Sequence, residues 1–165
     1  MDADFSTKLL IYLKSLSDLT TLLGDGGDSI KQGYAYPIGN EGKGPFVLFL
    51  HNAGQLNDKL PSTIGSLAIS VWMDRNISQS SSKLRNIVNT LSKNLKPENT
   101  GDLSDSILTD DPSTTKIRTM QCRRISSQYG YAEDLKFLFN EMQYLIVLSE
   151  GESFTLADAG DIDWQ

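Results

Sequence analysis

At 165 residues the chain fits one domain, since a single hydrophobic core is normally built from about 100 to 200 residues. With 39% apolar and 22% charged residues it is neither depleted of core formers, as disordered chains are, nor enriched in them, as membrane proteins are. Fifteen basic against twenty-one acidic residues leave a net charge of −6, so no global field holds a polyanion and tight nucleic-acid binding is disfavoured.

The longest apolar stretches, Phe46 to Leu50 and Tyr144 to Leu148, fall far short of the roughly 20 residues that cross a bilayer. Asp2 and Asp4 stand at the start and Lys8 interrupts the apolar residues after them, so no secretory signal is expected and residence in the cytoplasm is. A single cysteine, Cys122, makes no internal disulfide and suits a reducing compartment. The Asn76-Ile77-Ser78 sequon is then chance.

Phe5, Leu9, Tyr12, Leu13 and Leu16 recur at helical spacing and predict a first helix opening near Asp4, lying on a sheet. Ser17 is placed to cap a short continuation with Leu19, Leu22 and Leu23, which Gly24 ends in the left-handed conformation. The run Gly24 to Asp28 is a turn. Ile30 to Tyr36, closed by Pro37, alternates as a short edge strand. After a loop from Gly39 to Gly44, Pro45 introduces Phe46 to His51, apolar on both alternating faces as in a central strand.

Asn52 to Pro61 form a connection longer than a hairpin needs. Between Thr63 and Met73, Leu67, Ile69, Val71 and Met73 face one way, and Ala68, Ser70 and Trp72 the other. Leu84, Ile87, Val88, Leu91 and Leu95 then stripe a second main helix, stopped by Pro97. Glu98 to Ser113 read as a long acidic loop containing a short element.

Lys116 to Ser126 and Asn140 to Ser149 predict two more strands. Tyr129 to Phe139 fit either a helical turn or an irregular crossing. The tail, residues 150–165, is acidic with Phe154, Leu156 and Trp164 interspersed, and is either disordered or docked on a partner. The expected architecture is a single α+β domain over residues 1–149, with an antiparallel four- to five-stranded sheet and two main helices packed on one face. The order is α-α-β-β-β-α-β-β. Since the helices cover one face and several strands are apolar on both, oligomerisation through the sheet is expected.

Residues with chemistry to offer are few. The one histidine, His51, ends a buried strand with no nucleophile motif beside it, and reads as structural. No G-x-S-x-G elbow, H-E-x-x-H pair or phosphate-cradling glycine loop occurs. Cys122 reads as a small buried hydrophobe rather than a nucleophile activated by Arg123 and Arg124. Asp102, Asp105, Asp110 and Asp111 match no EF-hand spacing, and Asp25 and Asp28 satisfy the needs of a plain turn. A basic cluster, Lys116, Arg118, Arg123 and Arg124, alternates along a strand and so points to both faces. No enzyme activity, metal or cofactor is expected.

The order and spacing of these segments over Phe5 to Leu148 resemble the tail-terminator, or tail-completion, proteins of long-tailed bacteriophages. The resemblance is carried by the opening helix with the leucines and glycine of Leu9 to Gly24, by Gly33-Tyr34-Ala35-Tyr36-Pro37, and by Pro45-Phe46-Val47-Leu48-Phe49. It continues through Leu67 to Trp72 followed by Leu84 to Leu95, and through Arg118 to Ser126 and Met142 to Leu148. Glu98 to Ser113 and the tail are longer than the family pattern requires.

The resemblance implies a hexameric ring, assembled in the bacterial host cytoplasm, that caps the completed tail tube at the tail-neck junction of the virion. Its partners would be itself, the tail-tube protein and the head-tail connector, with DNA passing through unbound and no membrane involved. Trp72, Leu145 and Val147, which share the face away from the helices if the alternation holds, are the candidate subunit contacts; ordinary core is their other reading. Asp102, Asp105, Asp110 and Asp111 are candidates to line the lumen, where negative charge repels phosphates. The rival readings are a connector or stopper of the phage neck, and a small soluble enzyme or ligand-binding module, which predicts a concave polar pocket.

Overall fold

In the computed structural model, described for residues 2–33, 44–55, 62–95 and 117–150, the elements follow the expected order. The first apolar stripe forms α1 (Asp2–Ser15), which buries Phe5, Leu9, Tyr12 and Leu13. Next comes α2 (Ser17–Leu23), ended by Gly24 at φ 77°, whose N–H donates to the Thr20 carbonyl at 2.9 Å. That glycine needs its missing Cβ, because L-residues are strained in this left-handed region. The expected Ser17 cap does not form. Ser17 is already helical, and the cap position falls to Leu16, whose half-buried side chain joins the core and offers the helix no acceptor.

The third helix, α3 (Ser80–Asn94), buries Leu84, Ile87, Val88 and Leu91, as its spacing predicts. Polar contacts tie the helices into one layer. The Tyr12 hydroxyl donates to the Asn94 carbonyl at 3.1 Å, and the Asn94 amide donates to the Asp18 carboxylate at 3.3 Å.

The strands are β1 (Ile30–Gln32), β2 (Phe46–Gln55), β3 (Ser62–Asp74), β4 (Ile117–Ala132) and β5 (Phe137–Glu150), ordered β1-β2-β3-β5-β4 across one sheet. The sheet is mixed, which corrects the antiparallel expectation: β1 runs parallel to β2, Ile30 opposite Val47 and Gln32 opposite Phe49. Residues 33–45 supply a connection of about a dozen residues, the length that a parallel pair requires. The other three pairings are antiparallel. Tyr129 to Phe139 are neither a helical turn nor an irregular crossing. They complete β4, turn over residues 133–136 and begin β5, with Ala132 opposite Phe137.

One core fills the space between helices and sheet, joining the helix stripes to Val47, Phe49, Leu67, Ile69, Val71, Met73, Cys122, Met142, Tyr144, Ile146 and Leu148. These alternate residues point to the helix face, so their neighbours in sequence form a second face. A smaller cluster gathers at one end of that second face, where Leu48, Trp72 and Phe137 are buried with Phe46, Ala132, Leu135 and Phe139 packed on them.

Candidate functional site

The register lays out the second face in rows. Phe46, Trp72, Phe139 and Gly130 lie side by side across β2, β3, β5 and β4; the next row holds Leu48, Ser70, Glu141 and Gln128, the one after it Leu50, Ala68, Gln143 and Ser126, and then come Asn52, Ser66, Leu145 and Arg123. Ile64 and Val147 pair in the row beyond. The three residues chosen from the sequence, Trp72, Leu145 and Val147, therefore share one face, the one away from the helices.

They differ in what they touch. Trp72 is 5% exposed; its indole stacks on Phe139 with centroids 5.0 Å apart, and its N–H donates to the Ser70 hydroxyl at 3.0 Å. Leu145 and Val147, at the other end, are only half-buried, as are Leu50 and Ile64. Between the ends lies a groove of about 230 Å³ floored by Leu48, Leu50, Ala68 and Trp72 and rimmed by Glu141 and Gln143. That volume is below the roughly 300 to 1,000 Å³ of small-molecule sites, whereas half-buried aliphatics beside a packed aromatic suit a protein surface.

The other candidates sit elsewhere. His51 lies within β2 rather than at its end, buried, with its ring 4.6 Å from that of Phe5. Cys122 is wholly buried, and desolvation pushes its thiol up to about 12, the reverse of an activated nucleophile. The Asp25 carboxylate accepts from the Gly27 N–H at 3.0 Å, a turn contact. Among the described residues no three His, Cys, Asp or Glu side chains are grouped to hold a metal, and no helix is long and apolar enough to cross a membrane. Asp102, Asp105, Asp110, Asp111 and Lys116 lie outside the described residues.

Of the basic cluster, Arg123 stands opposite Leu145 on the second face, while Arg124 stands opposite Tyr144 and donates to the Ser92 hydroxyl of α3 at 2.9 Å. The two arginines thus point to opposite faces, as alternation predicts.

The chain is similar to a chain of the virion of a native gene transfer agent particle. The match has a TM-score of 0.53 at 14% identity and covers 92% of this chain and 95% of that one. At that identity the likeness is one of fold. No family model matches the chain, and no curated protein does.

Among the described residues, β4 forms one edge of the sheet. β4 continues past the expected end at Ser126 to Ala132, carrying Tyr129 and Tyr131 at 50% and 38% exposure, while Ile125, 65% exposed, falls within the expected strand. Tyr131 is held by Arg75, whose guanidinium donates to its hydroxyl at 2.9 Å. The alternation of Tyr129, Gly130 and Tyr131 was the available signal. It was weak because the residues between Cys122 and Gly130 are exposed, and no buried face imposes a pattern on them.

Proposed function

We propose that this chain is a non-enzymatic structural subunit of a phage-like virion, acting as a tail terminator: a ring of subunits that caps the finished tail tube and joins it to the head connector. The observation that carries this reading is the fold likeness to a gene transfer agent virion chain over nearly the full length of both. The terminator-like order of segments in the sequence adds the finer assignment. In this reading the ring is hexameric, its partners are its own copies, the tube protein and the connector, and its place is the tail-neck junction.

The chemistry required is burial rather than catalysis. Leu145 and Val147, with Trp72 as the packed end of the same face, give a neighbouring copy apolar area that the three helices leave on the outside. Burying such area returns roughly 25 cal/mol per Å², and ring closure repeats the gain at every interface. A net charge of −6 suits a passage for DNA, because a negative wall repels phosphate instead of trapping it. Asp102, Asp105, Asp110 and Asp111 are proposed for that wall.

Deleting the gene in the phage or particle that encodes it tests the assignment. A terminator predicts headless tails of abnormal length. Filled heads that leak DNA beside tails of normal length would instead assign the chain to the stopper position.

A further inference from the structure

The two edges of the sheet are unequal. β1, at one edge, is three residues long and presents little backbone. β4, at the other, runs for 16 residues without a proline or an acidic residue. Such an edge is a template for another strand unless it is short, charged, kinked or covered. Here it is bulged at two places, between Thr119 and Gln121 and between Arg124 and Ser126, but the stretch from Ser126 to Ala132 pairs regularly with β5. Ile125 and Tyr129 stay exposed in the single chain, and Tyr131 is covered only in part, by the Arg75 guanidinium over its ring.

The residues after β5 have the complementary character. β4 carries Arg118, Arg123 and Arg124 and no acid, whereas residues 151–165 carry Glu152, Asp158, Asp161 and Asp163 and no base. Phe154 and Leu156 are spaced by two, as are Ile162 and Trp164, which puts each pair on one face of an extended strand. At about 3.3 Å per residue the 15-residue segment reaches roughly 50 Å, about the length of β4 itself.

We propose that residues 151–165 of one copy add as a strand to the free edge of β4 in the next copy, so that each subunit of the ring hands its acidic segment to its neighbour. This rests on the ring reading above and names the contact that closes the ring. Backbone hydrogen bonds supply affinity, Phe154 and Leu156 lie against Tyr129 and Tyr131, and the acids meet the arginines of β4. β-Strand addition of this kind needs only an open edge and an extended partner.

The test uses the full chain with Cys122→Ser, Gln128→Cys on β4, which lies on the face opposite Tyr129 and Tyr131, and Thr155→Cys, which alternation turns to that same face, mixed with tail tubes and treated with a short flexible bis-maleimide. Native mass in the same sample reports the ring independently. The expected result is a ladder of covalently linked chains up to the size of the ring. Changing the acids to amides (Glu152→Gln, Asp158→Asn, Asp161→Asn, Asp163→Asn) should cut linked product about threefold or more, as expected for several modest ion pairs. A ring that forms with no linkage, or with linkage inside one chain only, overturns the exchange and leaves the ring reading standing. A monomer that binds no tube overturns both.

Discussion

At Cys122 burial decides reactivity. With its thiol pushed up to about 12 from 9.0, the folded protein should resist maleimide at pH 8 and react fully once denatured, which mass spectrometry reads directly. The same shift makes a stability prediction. The folded state holds the thiol proton more tightly than the unfolded chain, so the contribution of Cys122 is complete below about pH 9 and is lost as pH rises toward 12. Burial raises Tyr144 as well, and the Cys122 charge adds to that rise, so Cys122→Ala relieves the thiol's rise and that share of the tyrosine's in the same pH range. The difference in melting temperature between the two proteins should therefore stay constant below pH 9 and shrink above it. Gly130 is fixed by contact instead: a Cβ there would meet the Phe139 ring at 2.4 Å. Gly130→Ala should push Phe139 off Trp72 and cost about 1 to 3 kcal/mol in a denaturant titration.

For whole elements, legibility follows periodicity. The buried stripe of α3 could be read from its spacing because one face is wet and the other dry along its whole length. Ile87→Ala, at a fully buried position, should cost about 2 to 5 kcal/mol, while the exposed Asn89→Ala should stay within roughly 0.5 kcal/mol in the same titration. β3 was legible from strict alternation, which turns Leu67, Ile69, Val71 and Met73 inward. The parallel pairing of β1 was not, because alternation records which face a residue occupies and carries no trace of strand direction. The β4–β5 turn was hidden too. Its residues Glu133, Asp134, Leu135 and Lys136 include no glycine, proline or asparagine, and Lys136 itself takes φ 56°. Alternation placed Trp72, Leu145 and Val147 on one face. The burial of Trp72 was not readable, since it depends on Phe137 and Phe139 beyond that hidden turn.

Across the whole molecule, the helices take one face of the sheet, and the other is packed at the Trp72 end and half-open at the Leu145 end. Charge placed at that half-open end should separate assembly from folding. Leu145→Asp with Val147→Lys should leave the far-ultraviolet circular dichroism of the monomer unchanged and abolish the ring on native gels, because the new charges are desolvated only in the assembly. Trp72→Ala should instead lower stability by about 3 to 5 kcal/mol even in the monomer, since its indole is already buried within one chain.

In the role proposed for it, this chain closes a ring on a tail tube. The most direct measurement of that role is the native mass of the protein, alone at high concentration and again with purified tail tubes. A closed assembly of about six copies is expected, in solution or at the tube end. A monodisperse monomer under both conditions would contradict it.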